Sequence, residues 1–266
     1  MELLCPICGE KLTRQDRSYV CANRHSFDVA RQGHVNLLPV QHKRSLSPGD
    51  TAEQVVSRRE FLDGGFYAPI QRELCTLAKD HSCTGPILDI GCGEGYYSAA
   101  LASKLDAELL GLDISKEAVR YAAGRYKNAT WICASAAHLP VKDQSFGLLT
   151  SLFALTMPEE FKRVLRPDGA FIQVLAAEDH LMGLKNIIYR SIHHKEKFTT
   201  PEIPGFRLVE SRKLQFTFTV EGQQVQNLLS MTPHVYRIGK EGAQRLRQTE
   251  SLTDTASCVL NLYRPD

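Results

Sequence analysis

The sequence predicts an α/β protein, a doubly wound domain built on a parallel sheet, preceded by a small N-terminal metal-binding domain. Three observations carry this. From Pro86 onward, apolar runs of strand length alternate with amphipathic runs of helix length, the pattern of parallel strands joined by helical crossovers. A glycine-rich turn, LDIGCGEGYY, directly follows the first of those strands. Ahead of both, Cys5, Cys8, Cys21 and His25 cluster in a short segment of an otherwise ordinary chain.

The elements read in order as follows. After His25 comes a short strand, then an irregular segment ending at Pro48-Gly49. Asp50 is the expected N-cap of a helix over Thr51 to about Asp63, with Glu53 three positions on. Gly64-Gly65 ends it, and a second helix runs from about Ala68 to Asp80. PILDI, AELLGLDI, ATWICA, SFGLLTSLF and AFIQVL are strands. YYSAALASKL, SKEAVRYAAGRY and EEFKRVL are the helices between them, the second capped by Ser115 and the third ended by RPDG. Residues 181–193 read as a helix, FRLVESRKLQFTFTV as strand, GQQVQNLLSM as helix and ASCVLNLYR as a closing strand. The domains are expected at 1–34, the metal-binding domain, at 35–80, a linker with helices, and at 81–266, the α/β domain.

Composition fits a folded globular protein: of 266 residues, 43% are hydrophobic and 23% charged. No apolar run approaches the ~18 residues of a membrane span, and the N-terminus lacks a charged-then-apolar leader. A cytoplasmic protein with no membrane partner is expected. Net charge is only +2, but residues 1–44 carry seven Lys/Arg against four Asp/Glu, with His25, His34 and His42 besides. That basic end suits a polyanion.

Eight cysteines are present. Cys75, Cys83, Cys92, Cys133 and Cys258 are scattered and read as small buried hydrophobes. The cluster differs. Cys5-Pro6-Ile7-Cys8 is a knuckle whose two sulfurs can face one point. Cys21 and His25 form the second half, and KLTRQDRSYV between the halves can form a hairpin. Three thiolates and an imidazole close a tetrahedral shell around Zn2+. A closed shell has no position for water, so the zinc is expected to be structural and to supply the folding free energy of a segment too short to bury its own core. A redox Cys-x-x-Cys pair is the competing reading. It normally opens a helix after a strand in a longer domain, whereas here it lies near residue 1 with proline inside it.

In the glycine loop, Gly91, Gly93 and Gly95 let backbone approach a ligand closely. Dinucleotide enzymes use a similar loop, but here the third glycine of their pyrophosphate pattern falls at Tyr96, and Glu94 would repel a pyrophosphate. Asp113 ends the next strand, twenty residues past Gly93, where a carboxylate can bind ribose hydroxyls; a helix cap for SKEAV is its alternative role. A ribose with a cationic or zwitterionic tail fits this loop, and S-adenosylmethionine has both. ASAAHLPVKDQSFG, after the third strand, looks like the segment that contacts adenine in methyltransferases, with Ser135 and Ala136 at the contact and Leu139-Pro140 closing the turn. The expected cofactor contacts on these strand ends are Asp89, Gly91, Gly93, Glu94, Gly95, Asp113, Ile114, Ser135 and Ala136.

Taken together, the metal cluster, GHVNLLPVQHKRS, PGDTAE, RREFLDGGFY, LDIGCGEGYY and HLMGLK resemble the bacterial 23S ribosomal RNA (guanine-N1) methyltransferases, including members linked to macrolide resistance. The resemblance spans nearly the whole chain. It implies a class I, Rossmann-like S-adenosylmethionine methyltransferase domain, a zinc domain that helps hold a 23S rRNA hairpin, and a homodimer with a shared RNA cleft. By matching motif it adds Tyr67 in GGFY and His180 in DHLMGLK to the cofactor contacts. RNA would be held by Lys11, Arg14, Arg17, Arg24, Lys43, Arg44, Arg58 and Arg59 as a group, each of which could alone be part of a solvated face. Relatives often show Ala-Pro after the fourth strand. LFALTMPEE has Ala154-Leu155 there, with proline delayed to Pro158, which leaves the acceptor position and the general base unassigned. A small-molecule methyltransferase and a non-catalytic RNA-binding module are the rival readings. The zinc knuckle argues against the first, the intact DIGCGEG and GLDIS against the second.

Overall fold

The computed structural model describes residues 1–40, 48–192 and 199–266. Its strands are β1 (Thr13–Gln15), β2 (Ser18–Val20), β3 (Ser26–Asp28), β4 (Val35–Asn36), β5 (Ile87–Ile90), β6 (Leu109–Asp113), β7 (Thr130–Cys133), β8 (Phe146–Leu152), β9 (Leu165–Ala176), β10 (Phe206–Glu221) and β11 (Ser251–Pro265). Its helices are α1 (Ala52–Asp63), α2 (Ala68–Asp80), α3 (Tyr96–Leu105), α4 (Lys116–Arg125), α5 (Pro158–Val164), α6 (Met182–Ile188), α7 (Gln223–Ser230) and α8 (Lys240–Arg247). None of the described helices is long and apolar enough to cross a membrane.

β1, β2 and β3 form an antiparallel three-stranded sheet around the N-terminal cysteines. The large sheet has eight strands in the order β10-β11-β9-β8-β5-β6-β7-β4. From β9 to β4 its pairings are parallel, while β10 and β11 add antiparallel at one edge. β5 through β8 are buried on both faces, all but Thr130 and Asp113 fully, which is why their sequences read as continuous apolar runs. β5 lies between β6 and β8. The chain winds one way from β5 through β6 to β7 and the other way through β8 and β9, so the crevice beyond the carboxyl ends of β5 and β8 is the topological switch point.

Several details differ from the reading of the sequence. The segment after β3 is not wholly irregular: Val35–Asn36 join the large sheet beside β7. The cap of α1 is Thr51, not Asp50. The Thr51 hydroxyl accepts the Gln54 amide at 3.3 Å, and the Gln54 side chain accepts the Thr51 amide at 2.9 Å. Asp50 is engaged elsewhere, as described below. RPDG is not a free turn, because β9 already begins at Leu165 and runs through it. The helix expected over 181–193 spans Met182–Ile188, and residues 193–198 lie outside the described ones. α8 and a short 3-10 turn over Pro233–Tyr236 are additions.

Trp131 ties the sheet to the glycine turn. It is 1% exposed. Its Nε1 donates to the Tyr126 carbonyl at 2.8 Å. Its ring fills the space beside Gly111 and Gly95, where an added Cβ would come within 2.2 Å and 2.7 Å of it. Trp131→Ala removes this support, and a cost of about 3–5 kcal/mol is expected for such a buried ring, read as a lowered midpoint in urea unfolding.

Candidate active site and metal centre

The four N-terminal ligands converge. One donor atom from each of Cys5, Cys8, Cys21 and His25 lies within 4.8 Å of all the others. Cys8 Sγ is 3.8 Å from Cys21 Sγ, and His25 Nδ1 is 3.5 Å from both Cys5 Sγ and Cys21 Sγ. These are edges of a tetrahedron. Zinc at ~2.3 Å from sulfur and ~2.0–2.1 Å from nitrogen sets S···S and S···N edges of ~3.8 and ~3.5 Å. The site therefore fits Zn2+ with His25 binding through Nδ1. Backbone turns build it: the Gly9 amide donates to the Cys5 carbonyl at 2.8 Å, and the Arg24 amide to the Cys21 carbonyl at 2.9 Å. Asn23 and the Glu10 backbone bring the Cys8 thiol down to about 6, whereas burial pushes Cys5 up. The other five cysteines are buried, as expected.

The ribbon is continuous with the large domain. Leu3, Cys5, Leu12 and Cys21 share one buried cluster with Leu37, Leu139 and Val141. The Leu4 amide donates to the Pro140 carbonyl at 2.8 Å, and Leu3 bridges Val141.

At the switch point, Gly91, Gly93 and Gly95 have φ of 76°, 55° and 89°, the left-handed region that favours glycine. The Asp113 carboxylate accepts the Gly93 amide at 2.9 Å through one oxygen and the Ser115 amide at 2.8 Å through the other. It is thus joined to the loop, and the cap of α4 is Ser115, whose hydroxyl accepts the Ala118 amide at 3.2 Å. Burial pushes the Asp113 carboxyl up, against the two amides. Asp89 faces inward: it accepts from Thr150 Oγ1 at 2.6 Å and from Ser98 Oγ, and burial raises its carboxyl to about 6. It ties the end of β5 to α3 and β8.

Glu94 is 3% exposed and one of its carboxylate oxygens has no partner. Burial raises its carboxyl to about 7, partly offset by Arg125 and Arg58. Such an orphaned buried acceptor, beside a loop where a Cβ on Gly93 would meet nothing nearer than Arg58 at 3.9 Å, fits a polar ligand seated on the loop.

Tyr67 and His180 are 113 positions apart in sequence, yet the Tyr67 hydroxyl lies 3.4 Å from His180 Nε2. The Ser257 amide donates to His180 Nδ1 at 3.1 Å. In the neutral ring this leaves the proton on Nε2, facing the tyrosine oxygen. Tyr67 is buried, which pushes its phenol well above the usual range. Ile114 is 36% exposed at the strand end. Ser135 and Ala136 are half-buried, and the Ser135 hydroxyl accepts the Ala137 amide at 3.2 Å. The hydroxyl thus shapes the turn, which Glu160 and Arg163 lock by binding the Leu139 amide and carbonyl at 2.6 and 2.8 Å.

Among the cations expected to bind RNA, Lys11, Arg14, Arg17 and Arg24 are exposed on the ribbon, with Lys11 paired to Glu2 at 2.8 Å. Arg58 is elsewhere: it pairs with Asp50 at 2.6 Å and packs beside Gly93. Asp50 also accepts the Ser115 hydroxyl on its carbonyl at 2.7 Å, so PGDTAE is tied to the entry of α4. Arg59 lies over the Tyr121 ring at 5.2 Å, with Arg120 at 4.7 Å. Both line an open cleft of about 690 Å³ between α1 and α4. Lys43 and Arg44 lie outside the described residues. Reading the sequence missed the Asp50–Arg58 pair and the aromatic residue Phe153, since neither follows a recognisable spacing.

Comparison with known proteins meets this geometry from both ends. Residues 3–46 match the zinc-ribbon family described as "RlmA, N-terminal", and residues 87–169 match a methyltransferase domain. Over 99% of this chain and 96% of the relative, the sequence is 33% identical to a 23S rRNA (guanine(748)-N(1))-methyltransferase of Streptomyces fradiae. The chain belongs to the 23S rRNA (guanine-N1)-methyltransferase family. A Bacillus subtilis protein provisionally given the same activity is 30% identical over 93% of this chain and 91% of its own. A solved structure from Anaeromyxobacter dehalogenans, provisionally a type II methyltransferase, shares the fold at a TM-score of 0.52, with 20% identity over 73% of this chain and 95% of that one. As a member of this family the chain is an S-adenosylmethionine-dependent enzyme with a zinc ribbon.

The raised carboxyl of Glu94 has a measurable sign. The unfolded group ionises near 4.5 and the folded one near 7, so burying it disfavours the fold increasingly as pH rises between those values. Glu94→Gln is expected to be close to the wild type in stability at pH 4.5 and to exceed it at pH 8 by on the order of 3 kcal/mol, measured by urea unfolding at both pH values.

Proposed function

We propose that this protein transfers a methyl group from S-adenosylmethionine to N1 of a guanine in a hairpin loop of 23S rRNA. The observation that carries the reading is the match along almost the whole chain to a relative named for guanine-N1 methylation, zinc ribbon and glycine loop included. Bound S-adenosylmethionine supplies a methyl group activated on a sulfonium. The chain's part is to hold that group and align the acceptor nitrogen, a proximity effect.

Asp113 reaches the ribose hydroxyls while its own bonds keep Gly93 in position. Ile114, Ser135 and Ala136 flank the adenine. The loop at Gly91, Gly93 and Gly95, with Glu94 behind it, receives the amino-acid tail, and Tyr67 with His180 closes that end; Asp89 ties the end of β5 to α3 and β8. Guanine N1 is on the pairing edge, so the base must leave its stack or sit in a loop. Lys11, Arg14, Arg17 and Arg24 on the ribbon, Lys43 and Arg44 after it, and Arg59 on α1 form the cationic set toward RNA phosphates, while Arg58 is held by Asp50 beside the glycine loop. The ribbon, at 1–34, serves recognition, residues 35–80 connect it, and 81–266 perform the transfer. A cytoplasmic homodimer with a shared RNA cleft completes the reading.

The test is methyl transfer from labelled S-adenosylmethionine to unmodified 23S RNA and to large ribosomal particles, followed by nucleoside analysis. Label in 1-methylguanosine is expected, with RNA affinity falling steeply as salt rises. Label in another nucleoside, or in neither substrate while the cofactor binds, would contradict it.

A further inference from the structure

Phe153 is a large aromatic residue in an unfavourable backbone conformation at the edge of the cofactor crevice. It follows β8 directly, at the carboxyl end of the strand next to β5. Its φ is 55°, a region that a bulky side chain rarely enters and that marks strain when it does. Surrounding structure imposes it. The Phe153 amide donates to the Val174 carbonyl at 2.9 Å, tying the turn to β9. The next residue, Ala154, packs so closely on the glycine loop that a Cβ on Gly91 would come within 2.7 Å of its own.

This strain does not serve to bury the ring. Phe153 is 42% exposed and Leu155 is 79% exposed. The ring instead stacks on His180, with centroids 6.1 Å apart and planes 30° from parallel, and His180 in turn contacts Tyr67. An apolar ring held out of the core, braced by an imidazole and fixed to the cofactor loop through Ala154, is arranged to meet a flat partner.

We propose that the Phe153 ring is the platform on which the target guanine stacks during methyl transfer. This rests on the function proposed above, and it names the residue that holds the acceptor. A guanine taken out of its stack loses base–base contact, and an aromatic face restores part of it. His180 backs the ring, so the imidazole links the base platform to the Tyr67 end of the cofactor site.

Three variants test it: Phe153→Leu, Phe153→Trp and Phe153→Gly. The measurements are kcat/KM for 23S RNA, calorimetric affinity for S-adenosylhomocysteine, and Tm. Phe153→Leu is expected to lower kcat/KM by about 5- to 150-fold, the range for losing one base–aromatic stack, with cofactor affinity and Tm unchanged. Phe153→Trp, which keeps an aromatic face, is expected to stay near wild type. Phe153→Gly is expected to lose activity while Tm holds or rises, because glycine accepts this φ without strain. Wild-type rates in Phe153→Leu would overturn the proposal, as would a loss of cofactor affinity or Tm large enough to account for the fall in activity. Absence of 1-methylguanosine from the wild-type reaction would instead remove the underlying function, and the platform with it.

Discussion

The site is organised around one carboxylate. Asp113, at the end of β6, accepts the amide of Gly93 with one oxygen and that of Ser115 with the other. The first bond sets the loop after β5, and the second fixes the entry to α4. Ser115, so placed, caps α4 and also donates to the Asp50 carbonyl. Asp50 holds Arg58, which packs against Gly93. A closed circuit of short contacts therefore surrounds the loop, and every member traces back to Asp113. Such a half-buried carboxylate is costly unless its oxygens are satisfied. Two amides satisfy part of its accepting capacity, and the remaining lone pairs are suited to the hydroxyls of a ribose.

The metal centre stands on the opposite constraint. Three short strands bury too little to hold themselves, so the ribbon depends on a zinc tetrahedron and on a seam with the large domain. Both are visible: the ligand separations match a tetrahedron, and Leu3, Cys5, Leu12 and Cys21 share one apolar cluster with Leu139 and Val141. That seam meets the turn after β7, because the Leu4 amide donates to the Pro140 carbonyl. The turn is locked from its other side by Glu160 and Arg163. RNA held on the ribbon would be mechanically continuous with the wall of the cofactor crevice.

Much of this was legible in the sequence because its signals are local. The glycine loop directly follows an apolar strand, the carboxylate ends the very next strand, and the zinc ligands all fall between Cys5 and His25. Ser115 as the cap of α4 and the ends of α1 and α2 follow from short-range chemistry too. Long-range partnerships were harder. Tyr67 and His180 were each named as cofactor contacts through resemblance, but their contact with each other was not read, since no periodicity joins residues 113 positions apart. Thr51 displaced Asp50 as a cap because Asp50 is drawn away by Arg58 and Ser115, partners that the sequence does not bring together. α8 was missed because KEGAQRLR is polar, contains a glycine and buries only Gly242 and Leu246. β4 was read as irregular because two residues are too few for an alternation. The strained backbone at Phe153 is set by β9 and Gly91 and has no local signature at all.

The central claim is that Asp113 both builds the loop and holds the cofactor. Calorimetric titration of S-adenosylhomocysteine into the wild type and Asp113→Ala tests it most directly, with zinc content and circular dichroism recorded for both. At least about a 100-fold loss of affinity is predicted, the effect of removing a carboxylate that makes charge-assisted hydrogen bonds, with zinc and helical content retained. Equal affinity in the two proteins would contradict the account.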